Sequence, residues 1–259
     1  MSTSDRLLAV LDLFTIRRPD WSVEEAAAEL GVPVSTVYRY FGKLSRRGLL
    51  AGLAGARYGL GPTIIRYDRQ LRLTDPLVLA ATGELDRLAR LVPGRSVAFL
   101  CRLFGEQVMC VAQAAVDDPP FAIGYERGRP MPLFAGSASR VILANLPTRQ
   151  VRDLYRRTPK GFGRAGLGDD WAAVRGALRI QRESMGCITS GEVDVGMRGV
   201  SAPVMAVGAG VIGSITVAGP TAALPRQTAE RVLGDVARAA RAIERELGRK
   251  AMERPVAGG

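Results

Sequence analysis

The stretch VPVSTVYRYFGKLSRRGLL, residues 32–50, holds Arg39, Lys43, Arg46 and Arg47 and no carboxylate. The exclusion extends further: Glu29 and Asp68 bracket 38 residues without Asp or Glu, which also carry Arg57 and Arg66. Guanidinium and ammonium groups bind nucleic-acid phosphates by releasing condensed counterions, and a nearby carboxylate opposes that. Ser35 and Thr36 stand at the front, where hydroxyls and free helix amides can take a phosphate oxygen. Arg39 and Tyr40 follow about one turn further in, at a reach suited to base edges in the major groove. Arg57 lies further along, suited to the flanking backbone or minor groove. The alternative is a solvated basic helix face, and the surrounding elements decide between the two.

Residues 5–18, DRLLAVLDLFTIRR, place Leu7, Leu8, Leu11 and Phe14 on one helical face, and Pro19 ends the run. Ser22 and Glu25 form an S-x-x-E capping box at the head of SVEEAAAELG. Gly31 suits the left-handed residue just past a helix end, and Pro33 suits the opening of the next helix. In that third helix Val34, Val37, Phe41 and Leu44 make an inward stripe, with Ser35, Thr36, Arg39, Tyr40, Lys43 and Arg46 on other faces. Short apolar runs at 49–53 and 57–60 around Ala54-Gly55-Ala56 predict a hairpin. Helix, helix, turn, basic helix and hairpin make a winged helix-turn-helix over residues 1–61. A basic run on the third helix of such a unit favours duplex DNA as its partner.

Residues 62–91 read as helical, and Thr74-Asp75-Pro76 breaks them into a linker helix, 62–73, and the start of a second domain, 74–259. SVAFLCRL and EQVMCVAQAAV read as strands joined at Phe104-Gly105-Glu106. Helices are expected at 137–146, 148–157 and 169–185, then strand-like runs in GCITSGE, VSAPVMAV and GVIGSITVAG, then a long helix at 225–248. Residues 251–259 are expected to fray.

This second domain offers candidate ligand groups but no assembled catalytic set. Glu192 and Asp194 in SGEVDV would project to one side of an extended segment, as an acid–base pair or as a solvated rim pair. Ala135, Gly136 and Ser137 precede the helix at 137–146, where amides could dock a carboxylate ligand or simply be capped. Ser201, Ser214 and Thr216 interrupt apolar strands, so they line a pocket or bond backbone carbonyls. Trp171 reads as packing.

Composition sets outer bounds. The 259 residues are 47% hydrophobic and 24% charged, enough for a buried core. The formal charge of +11 points to polyanions. No run approaches a membrane span, and MSTSDRLLAV lacks the layout of a signal peptide, so the expected location is the cytoplasm. Histidine is absent, which excludes Ser–His or Cys–His catalysis and histidine metal ligands. The three cysteines, Cys101, Cys110 and Cys187, sit in apolar contexts and read as buried thiols. No catalytic residue, metal or cofactor is expected.

VSTVYRYFGKLSRRGLL with YGLGP, RGRPMPLFAGSASRVILA, ESMGCITSGEVDVGMRGVSAPV and GVIGSITVAGP together resemble an IclR-type bacterial transcription regulator. The resemblance covers roughly residues 5–248. It implies an α+β chain: an N-terminal winged helix-turn-helix and a C-terminal GAF-like antiparallel-sheet domain with a small-molecule pocket on one face. It also implies homodimers, often assembling into tetramers, on a pseudo-palindromic operator, with organic acids or aromatic catabolites as effectors. The resemblance adds Gly199 to the candidate effector-binding residues, since many members carry a pocket Cys there. Other departures are Phe134 for the usual His, Ser139-Arg140 for Gly-Lys, Gly191-Glu192 for paired acids, and Ala218 for a second pocket Ser, while Thr216 matches the first. With fewer polar anchors the effector is expected to be bulkier or less polar than a two-carbon acid. Two alternatives stay open: an architectural DNA-binding protein without effector, and an enzyme using Glu192 or Cys187.

Overall fold

The computed structural model describes residues 3–92, 95–117, 121 and 123–253. The chain is α+β and divides into two compact units, one ending at Thr74 and the other starting at Asp75.

The first unit begins with α1 (Thr3–Asp12), β1 (Asp20–Trp21), α2 (Val23–Leu30) and α3 (Val34–Arg46). It continues through β2 (Leu50–Leu53), a 3-10 turn at Ala54–Ala56, β3 (Arg57–Leu60) and α4 (Pro62–Thr74). The helix expected over 5–18 stops at Asp12. Its last residues turn instead: the Trp21 indole N–H donates to the Leu13 carbonyl at 2.9 Å, and Phe14 packs beside Phe41. Both halves of the Ser22–Glu25 capping box are present, and Gly31 closes α2 at φ 62. The hairpin is the wing, with β1 added on its far edge in the order β1-β3-β2. Val10, Trp21, Val37, Phe41, Leu44 and Leu50 form the core.

The second unit is a six-stranded antiparallel sheet, order β6-β5-β4-β9-β8-β7. The strands are β4 (Val97–Phe104), β5 (Gln107–Ala114), β6 (Pro130–Pro132), β7 (Cys187–Ser190), β8 (Met197–Ala206) and β9 (Gly210–Pro220). Helices α5 (Pro76–Ala89) and α10 (Arg226–Glu253) pack on one face, through Leu77 and Ile243 among others. Asp75 caps α5 by accepting from the Leu77 amide at 2.9 Å. Helices α6 (Ser137–Asn145), α7 (Thr148–Arg157), α8 (Pro159–Arg164) and α9 (Trp171–Glu183) build around the core of the other face, with Phe99, Ile142 and Phe162. Strand alternation sorts β8 and β9 between the two faces. Val200, Ala202, Ile215 and Val217 point toward α10, so Ser201, Ser214 and Thr216 point toward α6. Helix α10 runs on to Glu253, so residues 251–253 are helical; 254–259, where fraying is expected, lie outside the described residues. No helix among the described residues is long and apolar enough to cross a membrane.

Candidate nucleic-acid interface and ligand pocket

Helix α3 is held from behind. Val37, Tyr40, Phe41 and Leu44 are buried, and the Val32 amide returns to the Ala27 carbonyl across the turn. Pro33 at the N-cap has no side-chain acceptor; its carbonyl accepts from the Thr36 amide at 2.9 Å, so the Val34 and Ser35 amides are the ones without a capping side chain. Ser35, Arg39, Lys43, Arg46 and Arg47 are exposed and Thr36 is half-buried. The ion pairs of this unit involve Arg18, Arg57 and Arg72, all on other segments. Among the described residues no carboxylate pairs with the four basic groups of α3 and its end.

Three expectations are corrected here. Tyr40 is 4% exposed and belongs to the core. It lies three residues after Val37 and four before Leu44, so it continues the buried stripe and turns away from the basic face. Val34, assigned inward, is 47% exposed, and Tyr38 is the exposed aromatic of the helix at 67%. Arg57 does not project from the wing as a free cation. Its guanidinium pairs with the Asp20 carboxylate, and reaches the Asp20 carbonyl at 3.1 Å and Glu25 Oε2 at 3.2 Å. The Ser22 amide and then Arg57 hold the Glu25 carboxyl down at about 2, and the Asp20 and then the Glu25 carboxylate push the Arg57 guanidinium up.

In the second unit a cavity of about 40 Å³ sits where the end of β7, the following 191–196 loop and the start of α6 meet. Gly136, Ser137, Glu192, Asp194 and Gly199 line it, with Phe99, Tyr125, Thr189 and Val193 completing the wall. That volume holds only a few water molecules. The N-terminus of α6 is not vacant: Glu192 Oε2 accepts from the Gly136 amide at 3.1 Å and lies 2.9 Å from Arg140 Nε. Thr189 Oγ1 accepts from the Ser137 amide at 3.0 Å. Asp194 accepts from the Gly124 amide at 2.6 Å. Glu192 and Asp194 therefore leave a bent loop toward different amides and do not form an acid–base pair.

The hydroxyls run beneath the cavity. Ser201 donates to Ser137 at 2.8 Å and pairs with Thr216 at 2.8 Å, while Ser214 donates to the Ala138 carbonyl at 3.0 Å. Ser201, Ser214 and Thr216 are buried supports behind Ser137 and do not themselves line the cavity. Gly199 makes this arrangement fit: a Cβ there would come within 2.4 Å of Ser137 Oγ. Gly136 takes φ 78, and a Cβ on it would lie 2.8 Å from Val193 and 2.9 Å from the Tyr125 hydroxyl.

Ala135 faces a second, adjoining cavity of about 570 Å³ with Phe134, Arg140, Arg164 and Glu192. Glu192 lines both cavities. Phe134 packs on α8, where Gly161 leaves room for its ring. Sequence reasoning missed Tyr125, Thr189 and Val193. Tyr125 stacks on Phe99 at 5.3 Å and donates to the Ala135 carbonyl at 2.8 Å, and burial pushes its phenol up. Thr189 carried a signal, a hydroxyl in a strand-like run; Tyr125 carried none. Burial also raises the Cys187 thiol to about 11 and pushes the Cys101 thiol well up, so neither is a ready thiolate.

Two family descriptions match the chain: "IclR helix-turn-helix domain" over residues 3–53 and "Bacterial transcriptional regulator IclR C-terminal" over residues 74–245. The HTH-type transcriptional regulator KipR of Bacillus subtilis is 23% identical over 160 residues, which span 58% of this chain and 59% of that protein. An IclR transcriptional regulator from Alicyclobacillus acidocaldarius superimposes with a TM-score of 0.77 at 23% identity, over 95% of this chain and 98% of that one. An IclR homolog of Microbacterium hydrocarbonoxydans, complexed with 4-hydroxybenzoate, gives 0.74 at 19% identity over 96% and 100%.

Proposed function

Because the chain belongs to the IclR family of bacterial transcriptional regulators, we propose that it binds operator DNA through α3 under the control of a carboxylate-bearing effector in the second unit. The observation that carries the DNA reading is the outward face of α3, with Arg39, Lys43, Arg46 and Arg47 exposed and unmatched by described carboxylates. Arg39 lies deepest toward the bases, and Ser35, Thr36 and the first amides take phosphates. Lys43, Arg46 and Arg47 flank them on the backbone. Titration of labelled fragments from the gene's own upstream region, against random duplex at several salt concentrations, tests this. Equal affinity for both at all salts, with and without candidate effectors, overturns it.

The effector reading rests on Glu192. A carboxylate of the chain already occupies the α6 N-terminus, so the site is suited to that group. An incoming carboxylate would replace Glu192 at the Gly136 amide and Arg140. Glu192 and Gly191 line both cavities, so a shift of Glu192 would open the smaller toward the larger and make room for a ring that 40 Å³ excludes. Ala135, Gly136, Ser137 and Gly199 would contact the ligand, Asp194 would hold the rim, and Ser201, Ser214 and Thr216 would fix Ser137. An effector that binds the opened arrangement more tightly shifts the population toward it. Thermal shift and calorimetry with 4-hydroxybenzoate and related acids test this. A family of acids that never moves the melting point favours the architectural alternative.

Leu8 on α1 and Ile65, Leu71 and Leu73 on α4 are exposed apolar residues. They favour a homodimer through the first unit, on a pseudo-palindromic site in the cytoplasm. Light scattering on the full chain tests the assembly and separates dimer from tetramer.

A further inference from the structure

We propose that the arginines projecting from α7 and α9 form a second contact surface for duplex DNA, apart from the recognition helix. The inference rests on the DNA-binding reading above. Within the second unit positive charge is clustered in one segment. Residues 1–61 hold eight basic and six acidic residues, whereas residues 148–182 hold nine basic and three acidic. A domain needed only to enclose a small acid has no use for such an external field.

The charge is organised in two ridges. On α9, Arg175 and Arg179 are one turn apart and exposed, about 6 Å along the axis. On α7, Arg149, Arg152 and Arg156 repeat at three and four residues along one exposed side, spanning about 10 Å. Beside the α9 ridge lies a trough of about 170 Å³, lined by Arg175 and Arg179 and bordered by Val151, Trp171 and Leu178. The Arg152 guanidinium lies 5.9 Å from the centre of the Trp171 ring, which ties the α7 ridge to α9.

Nearby arginines show what structural roles look like here. Arg182 donates to the Ala144 carbonyl at 2.6 Å and to Leu146, closing the end of α6. Arg157 pairs with Glu106, and Arg156 with Asp153 at 3.5 Å. Arg149, Arg152, Arg175 and Arg179 have no ion pair with a carboxylate among the described residues. They are guanidinium groups, which are weakly hydrated and match phosphate geometry in a fork. Duplex DNA offers a continuous phosphate array of complementary sign, and a chain docked on an operator holds that array at high local concentration.

The test uses the full chain, with Arg149, Arg152, Arg175 and Arg179 all changed to Gln. A control variant loses the same charge elsewhere, with Arg90, Arg231, Arg241 and Arg245 changed to Gln. Anisotropy titrations on a long operator fragment are run across a salt series. Each phosphate left unneutralised lowers the salt slope by about 0.9, so the ridge variant should fall by roughly two to four. Its affinity at moderate salt should drop at least about tenfold, with the operator-to-random ratio kept, while the control changes little. An unchanged slope, or an equal drop in the control, overturns the proposal. An acidic protein as the true occupant would appear as unchanged DNA binding, and would overturn it too. Should the fourfold variant melt early, the pairs Arg149→Gln/Arg152→Gln and Arg175→Gln/Arg179→Gln are read separately, each expected to show about half the effect. Arg39→Ala separates the two readings. If Arg39→Ala and Lys43→Ala both leave affinity and discrimination intact while the ridge variant still lowers the slope, the recognition-helix reading has failed and this one stands.

Discussion

Helices α3 and α6 begin alike and end up in opposite states. Both open with small or hydroxyl residues, Ser35-Thr36 in one and Ser137-Ala138-Ser139 in the other, and both invite an anion to a helix N-terminus. At α3 Ser35 is exposed and the preceding proline offers no capping side chain. At α6 Ser137 is buried, Thr189 has taken its amide, and Glu192 has taken that of Gly136. An open site can meet a large polyanion at any time and is governed by salt. A closed site makes its ligand compete with an internal group, so that binding must rearrange something. Regulation needs one of each.

The sharpest way to break the comparison is at Tyr40, whose ring belongs to the closed side of α3. Tyr40→Ala should cost about 3–5 kcal/mol of first-unit stability, the usual loss for a buried aromatic. Tyr40→Phe should leave operator affinity within about twofold. Tyr38→Ala should do the reverse of Tyr40→Ala, sparing the melting point while weakening DNA binding. A large binding defect in Tyr40→Phe at full stability would return its hydroxyl to the interface.

Next come the open-face cations. Arg39→Ala should lose about 1–3 kcal/mol of discrimination between operator and random duplex if it reads a base edge. Lys43→Ala should weaken both alike and lower the salt slope by about 0.9. If the two variants behave identically, Arg39 is a phosphate contact and sequence is read elsewhere.

On the closed side, Gly199→Ala places a methyl 2.4 Å from Ser137 Oγ, and overpacking of that kind costs about 1–3 kcal/mol. Adding Ser137→Ala should recover most of the loss, by thermal or denaturant melting. Glu192→Gln removes the competing charge, so an effector carboxylate should bind several-fold tighter. Weaker binding in Glu192→Gln would make Glu192 a ligand contact and not a gate.

Legibility follows the same division. The Ser22–Glu25 box, the Gly31 turn, the wing and the break at Thr74-Asp75-Pro76 rest on short-range signals, and all four are in the structure. Tyr40 is misplaced by a stripe that begins at Val34, because that exposed residue rotates the inferred inner face away from it. Strands β1 and β6, of two and three residues, are too short to show a period. The closed site joins Gly136 to Glu192 across 56 residues and Gly124 to Asp194 across 70. Gly136, Ser137, Glu192 and Gly199 are legible as candidates, but nothing local says that one of them fills the place expected for a ligand.

The smallest expected effect concerns Arg57, the wing arginine that the structure withdraws from the open side. Its pairing with Asp20 and Glu25 is half-exposed and screened by solvent, so Arg57→Ala should change operator affinity less than about twofold. Its signature should be in pH. Glu25 titrates at about 2 when folded, below its ordinary 4.5. A depressed carboxyl stabilises the fold fully above the unfolded value and loses that contribution as pH falls toward the folded one. The first unit's melting point should therefore decline between about pH 5 and 2. Ser22 contributes the largest part of the depression and Arg57 the next, so Arg57→Ala should flatten that decline only partly. A tenfold loss of DNA affinity in Arg57→Ala at neutral pH would mean that the wing releases Asp20 and Glu25 to reach the duplex. The open surface would then also hold a competing internal group, and the contrast with α6 would be one of degree.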